Sequence, residues 1–249
     1  ESVPPVPTGQ NEQYTITNTS FSAIIGTVNF IENTDGSTTI SLEVRNMNVD
    51  NVVRLRRNTA YIGGGVAVNL SSISSENGVS MTTLSKLENG NDATYSELIN
   101  FDGYIAIEGT GENEGVLFAY ADVGPNELTG KKATYDLFSL GGAINGQVNL
   151  EERKNGTTAF TIGVFEIDKD IELPCNLHVP QVNSSEEYLH GLSSVTGKLN
   201  GFSFNELTEI NGVAITYDEV LELNAYIEVA DVVNSNSFFA KGEIGLNAD

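Results

Sequence analysis

Three stretches of this chain carry side chains whose type and spacing suit chemistry. "RLRR" (54–57) gathers three of the five arginines into four residues. On a strand, Arg54 and Arg56 share one face, and each guanidinium offers a planar fork that matches a carboxylate. Such a pair has three uses: neutralising carboxylates within a domain or between domains, receiving an anionic or carboxylate-bearing ligand, or standing unpaired on the surface. "FEIDKDIEL" (165–173) places Glu166, Asp168, Asp170 and Glu172 at every second position. On a strand they line one face, ~6.5–7 Å apart, a weak calcium candidate because hard cations take several oxygen ligands. The competing reading is a solvated acidic face or loop. "LPCNLHVP" (173–180) holds Cys175, the only cysteine, three residues before His178, one of two histidines. Copper or zinc needs three or four donors, and these two do not supply them. His178 is therefore read as a structural or surface residue, or as a contact for a ligand other than a metal. His190 has no partner in sequence and receives no role.

Other chemistry is thinly supported. "YIGGGVAV" lacks the spacing of a phosphate-binding loop and reads as a tight turn or bulge. The serine-rich "LSSISSENGVS" contains no nucleophile elbow, and two histidines outside any triad pattern give nucleophilic hydrolysis little support. A carboxylate pair for glycoside chemistry is singled out nowhere among the 34 acidic residues. No catalytic residue and no cofactor is assigned.

Charge narrows the partners. Twelve basic against 34 acidic residues give a net charge of −22, which repels a phosphate backbone and argues against nucleic acid. No apolar run reaches the ~18–20 residues that a transmembrane helix requires. The surface is that of a soluble extracellular protein, or of one that recruits cations or a basic partner.

The elements that must position these residues are written twice. "GTVNFIENTDGSTTISLEV" (26–44) aligns with "GQVNLEERKNGTTAFTIGV" (146–164), and "TYSELINFDGYIAIE" (94–108) aligns with "TYDEVLELNAYIEVA" (216–230). "LSSI" (70–73) matches "LSSV" (192–195), and "FAYADVGPN" (118–126) matches "FAKGEIGLN" (239–247). Matches in order at a nearly constant offset mean a tandem duplication. The reading is a Pro-, Gln- and Asn-rich tether at 1–12, a domain at 13–126, a linker at 127–132 and a second domain at 133–249. Each domain reads as short strands rich in β-branched and aromatic residues. Asn-Gly pairs at 77–78, 89–90, 145–146, 155–156, 200–201 and 211–212 predict tight turns, because both residues tolerate positive φ. Thr94 with Glu97, and Thr216 with Glu219, form Thr-x-x-Glu capping boxes that predict short helices at 95–100 and 217–222. Tyr104 and Tyr226 are expected to anchor core packing. Many short strands with frequent turns predict an antiparallel sandwich or barrel.

The hairpin "GTVNF…NTDGSTTISL", the run "GGGVAVNL", "TYSELINFDGYIAI" and the closing "VGPN" or "IGLN" resemble the CHRD domain, the family named for chordin. The likeness is to its bacterial versions in secreted and lipid-anchored proteins, many from Bacteroidetes, and it covers the chain twice, from about Gln13 to Asn247. The resemblance implies an all-β Greek-key sandwich, superoxide-dismutase-like in architecture, and no established enzyme activity. The family carries a His-Pro-Ala-His-Ile-His cluster shortly before the triple glycine. In this chain those positions hold Asn51, Arg54 and Arg56 in the first copy, and Leu173, Asn176 and His178 in the second. Five of the six histidines are thus missing, which sets dismutase chemistry aside. The expectation is an exported, lipid-anchored, non-catalytic protein of the cell surface or periplasm with an extracellular protein or glycan partner. Its anchor would be a lipidated cysteine upstream of Glu1, because the chain opens without a leader. The alternative is a metal-dependent protein or hydrolase whose site forms between domains from carboxylates and His178.

Overall fold

The structure is a computed structural model and describes residues 4–19, 22–180, 187–232, 237–246 and 248. The chain divides into two compact units, with the boundary between Glu127 and Leu128. Unit 1 contains β1 (Pro7–Asn18), β2 (Ile25–Asn33), β3 (Thr38–Arg45), β4 (Asn51–Arg57), β5 (Val66–Ile73) and β6 (Val79–Leu84). Helix α1 (Tyr95–Leu98), β7 (Gly103–Glu108) and β8 (Leu117–Val123) complete it. Unit 2 contains β9 (Leu128–Phe138), β10 (Ile144–Arg153), β11 (Thr158–Val164), β12 (Glu172–Pro180), β13 (Glu187–Thr196) and β14 (Phe202–Leu207). A small hairpin of β15 (Glu209–Ile210) and β16 (Val213–Ala214) follows, then α2 (Tyr217–Leu221), β17 (Asn224–Ala230) and β18 (Phe238–Gly245).

Unit 1 is an eight-stranded sheet in the order β5-β4-β7-β8-β1-β2-β3-β6, and unit 2 is a closed barrel in the order β10-β11-β14-β13-β12-β17-β18-β9. Matching β9 to β1 and each later major strand to its counterpart turns one order into the other. The duplicated sequence is therefore a duplicated topology. In unit 2, β14, β13 and β12 are joined consecutively while β11 lies beside β14, which is a Greek key.

Closure differs between the units by one backbone pair. Unit 2 joins β13 to β14 through Thr196 opposite Phe202, whereas in unit 1 the strands β5 and β6 are the two ends of the sheet. Side chains span both gaps in the same way. The Ser71 amide donates to Thr82 Oγ1 at 2.8 Å and Ser80 donates to the Ser71 carbonyl. In unit 2 the Ser193 amide donates to Asn205 Oδ1 at 2.7 Å, and Ser203 donates to the Ser193 carbonyl at 2.6 Å. Apart from the Thr196–Phe202 pair these strands share no ladder, and short polar side chains satisfy the edge groups instead.

The repeat also starts earlier than the sequence reading placed it. Residues 7–12, expected as tether, are the first half of β1 and pair with β2, with Asn11 opposite Ile31 and Glu12 opposite Phe30. Residues 128–132, expected as linker, begin β9, with Lys132 opposite Glu151. The missed signal is "TG". Thr8 donates to Glu32 and Thr129 donates to Glu152, each at 2.7 Å, and Gly9 and Gly130 both take positive φ. The polar composition of these segments follows from exposure of both strand faces, with residues 7–11 and 129–132 all exposed, while the backbone stays paired.

Strand parity fills the cores. Val28, Phe30, Ile40, Leu42, Val53, Leu55, Ile105 and Ile107 point inward in unit 1, and Val148, Leu150, Phe160, Ile162, Cys175, Leu177, Ile227 and Val229 do so in unit 2. One exchange conserves volume. Phe30 faces Ile40 across the ladder in unit 1, and Leu150 faces Phe160 in unit 2, so the aromatic changes strand and the layer stays filled. Both capping boxes form as expected, the Thr94 and Thr216 amides donating to Glu97 and Glu219. Of the Asn-Gly pairs, Asn211-Gly212 is the turn of the β15–β16 hairpin, with φ of 58° and 73°. Asn145-Gly146 is not a turn. It lies within β10, where a Cβ on Gly146 would fall 2.4 Å from the Gly163 carbonyl oxygen.

Candidate functional site

In unit 1 the residues of interest lie on the outer wall where β4, β7 and β8 run side by side. Val53 and Leu55 point into the core, so Arg54 and Arg56 point out. The register sets Arg54 opposite Ala106 and Arg56 opposite Tyr104, with Glu108 two residues along the same face of β7. Both guanidiniums close on Glu108. Arg54 Nη1 pairs with Oε2, and Arg56 Nε donates to Oε1 at 2.5 Å. The Glu108 side chain is 3% exposed, while the arginines remain about a quarter exposed at 24% and 23%. The remaining donors are partly used as well: Arg54 Nε reaches Asn69 Oδ1 at 3.1 Å and Arg56 Nη1 reaches the Gly64 carbonyl at 3.0 Å. Asn69 in turn donates to Glu88 at 2.6 Å. The hydrogen bond to Glu108 raises the Arg56 pKa, against the opposing effect of burial. This is a carboxylate buried under two cations, and the cations serve it.

The glycine run belongs to the same wall. Residues 58–65 leave β4 as a loop rather than a bulge, and the Ala60 amide donates to Asp122 on β8 at 2.8 Å. Gly64 lies so close to β4 that a Cβ would fall 2.1 Å from the Arg57 carbonyl oxygen, which lets its own carbonyl reach Arg56. Tyr104 is buried on this face, and burial raises its pKa. It is buried at 5% exposure, as the sequence reading expected of a packing residue, but on the wall face and outside the main core cluster. Its parity opposes that of Ile105 and Ile107.

Unit 2 builds the same wall from different chemistry. Asn176 and His178 stand where Arg54 and Arg56 stand, and Ala230 replaces Glu108. His178 lies opposite Tyr226 in the ladder. Their rings stack at 4.6 Å with an interplanar angle of 7°, and Lys241 Nζ sits 3.7 Å from the centroid of the Tyr226 ring. Tyr226, like Tyr104, is a wall residue. Cys175 faces the other way: it is 1% exposed in the core, in the place of Val53, and burial raises its thiol pKa to about 11. Residues three apart on a strand point to opposite faces, so Cys175 and His178 cannot share a metal. The cysteine is a small apolar core residue.

The acidic run is not a strand. Residues 165–171 form the turn between β11 and β12, and Glu166, Asp168, Asp170 and Glu172 are all exposed. Glu166 takes a φ of 56°, which breaks the alternation on which a shared face depends. Among the described residues, no group of three or more His, Cys, Asp or Glu side chains is placed to hold a metal ion. No helix among them is long and apolar enough to cross a membrane.

Sequence reasoning missed Glu108, and the signal was in the copies: where the arginines become Asn176 and His178, the glutamate becomes alanine. It also missed Arg153 and Glu206, a pair 1% and 2% exposed in unit 2. There the Arg153 Nε donates to both carboxylate oxygens at 2.8 Å, and Thr157 adds a hydrogen bond at 2.6 Å. No protein-family model matches the chain, and a search of curated proteins returns no match.

Proposed function

We propose that the chain is an exported, lipid-anchored protein whose two CHRD-like domains bind or brace an extracellular protein or glycan without catalysing a reaction. The observation that carries this reading is the use made of Arg54 and Arg56. At two of the three positions in the first copy where the resemblance expects metal-binding histidines, this chain has cations clamped on a buried glutamate. A guanidinium stays protonated at any working pH and donates no lone pair, so this wall is organised for rigidity and not for proton or metal chemistry. His178, the one histidine left at such a position, is stacked on Tyr226. The net charge of −22 and the resemblance to secreted bacterial domains support an extracytoplasmic address.

Metal analysis of the purified chain before and after chelator treatment tests the non-catalytic part. The expected result is no tightly held copper or zinc and an unchanged melting temperature. One equivalent surviving dialysis, with a lower melting temperature after chelation, overturns it. Metabolic labelling with a fatty acid in the native host tests the address: label on the chain in a membrane fraction is expected, and an unlabelled chain in the cytosol contradicts it.

A further inference from the structure

One arginine of "RLRR" is left after the wall is accounted for. Arg57, the last residue of β4, has the parity of Val53 and Leu55 and not that of the outer wall. Its counterpart in unit 2 is Val179, a buried core residue. Unit 1 therefore places a cation where the duplicate fold can place a valine.

The surroundings are matched to that cation. The Arg57 guanidinium carbon lies 5.6 Å from the centroid of the Phe101 ring. The ring lies against Gly103, where a Cβ would fall 2.4 Å from Phe101 Cε1. Unit 2 has Ala225 at the glycine position and Leu223 at the phenylalanine position. Three linked differences thus separate the two units: arginine for valine, phenylalanine for leucine and glycine for alanine. Among the described residues no carboxylate pairs with Arg57, although Arg54, Arg56 and Arg153 each have one. A guanidinium held over an aromatic face retains N–H donors for a carboxylate.

Arg57 lines an open, mostly polar pocket of about 540 Å³ together with Lys86, Leu87, Asp92, Glu97 and Phe101. The size suits a small molecule or the end of a chain. Lys86 is already shared with Asp92 at 2.8 Å, and Glu97 is fixed by its capping box with Thr94. These carboxylates disfavour a polyanion. The ligand chemistry that remains is one carboxylate beside an apolar or aromatic group.

We propose that this end of unit 1 binds such a carboxylate, with Arg57 as the anion receptor and the Phe101 ring as its apolar contact. The proposal gives a ligand chemistry to the binding role inferred above and rests on that reading only for its place in the protein's function. The carboxylate has two sources, a free organic acid or the C-terminus of a peptide.

An NMR titration of the full chain with benzoate, and separately with N-acetyl-phenylalanine and its amide, tests it. The expected result is a saturable perturbation of the Arg57 Nε–H and of residues 86–101, with both acids in the millimolar range and not with the amide. A short peptide ending in phenylalanine, with a free or amidated C-terminus, separates the two sources: binding about tenfold tighter than N-acetyl-phenylalanine marks a peptide end, and equal binding marks a free acid. Arg57→Gln should weaken benzoate about tenfold or more. Phe101→Leu, which puts the unit 2 residue in place of the ring without removing charge, should weaken it several-fold, and Arg45→Gln should leave it unchanged. No saturable perturbation in the wild-type chain, equal binding by Arg57→Gln, or equal binding of the amide overturns the proposal. Such a failure with a negative metal analysis removes the pocket and leaves the non-catalytic reading standing. A positive metal analysis removes that reading whatever the titration gives.

Discussion

The two units put their buried charge in opposite places. At the turn joining β2 to β3, unit 1 has a neutral network: Asn33 donates to Ser37 and Thr39 at 3.0 Å, and the Thr39 and Thr83 hydroxyls meet at 2.8 Å. Unit 2 has Arg153 and Glu206 where unit 1 has Asn33 and Thr83. On the outer wall the pattern reverses, with Arg54, Arg56 and Glu108 in unit 1 against Asn176, His178 and Ala230 in unit 2. One ladder holds either chemistry. What it does not accept is half of either, because an ion left alone in the interior costs far more than a neutral hydrogen-bonded group. Each cluster is therefore present with its partners or absent with them.

Breaking the unit 2 pair should give the largest effect. Arg153→Met leaves Glu206 buried without its cation and should cost about 3–5 kcal/mol, read by chemical denaturation with hydrogen exchange to locate the loss in unit 2. Arg153→Asn with Ala159→Thr and Glu206→Thr, which together copy the Asn33, Thr39 and Thr83 corner of unit 1, should recover most of that loss. If the three-residue copy is as unstable as Arg153→Met, the corners are not interchangeable. Next come the caps: Thr94→Ala and Thr216→Ala should each cost about 1 kcal/mol, and equal losses would show that both short helices rely on the box to the same degree.

A smaller contrast lies in one hydroxyl. Thr38 donates to the Ala93 carbonyl at 3.1 Å, whereas its fully buried counterpart Thr158 has no hydrogen-bond partner for Oγ1 among the described residues. Thr38→Val should cost about 1 kcal/mol, while Thr158→Val should be neutral or stabilising. Equal losses at both positions would mean that the hydroxyl is not what matters. The smallest effect is a pH effect. The Thr216 backbone and side-chain hydrogen bonds hold the Glu219 pKa below the ordinary carboxylate range. Stability from this group is present above the unfolded-state pKa and disappears as pH falls through the lower folded one. Glu219→Gln should flatten that part of the acid limb, and an unchanged limb would assign the slope to other carboxylates.

What the sequence showed well was whatever recurs locally. The repeat, the capping boxes and most Asn-Gly turns are carried by residues within a few positions of one another, so the strands and helices were legible. Partners joined by the ladder were not. Arg56 and Glu108 are 52 residues apart and Arg153 and Glu206 are 53 apart, and nothing local marks either pair. "LEERKNG" reads as an exposed charged turn, yet Arg153 is among the most buried side chains of the molecule. The run of alternating acids failed for the opposite reason: the spacing was real but the strand it required was not, because Glu166 turns the chain. Polar strands misled in the same way, since Thr8 and Thr129 lie in segments whose composition resembles a linker while their backbones are paired.

The most direct test of the arginine pair's structural role is a rescue experiment at Glu108. Arg54→Met with Arg56→Met should lower unit 1 stability by about 3 kcal/mol, because a carboxylate that is 3% exposed loses both cations. Adding Glu108→Leu should restore most of it, since an apolar replacement of a buried ion cluster is close to neutral. A double variant as stable as the wild type, or a triple variant no better than the double, would contradict a structural role for these arginines.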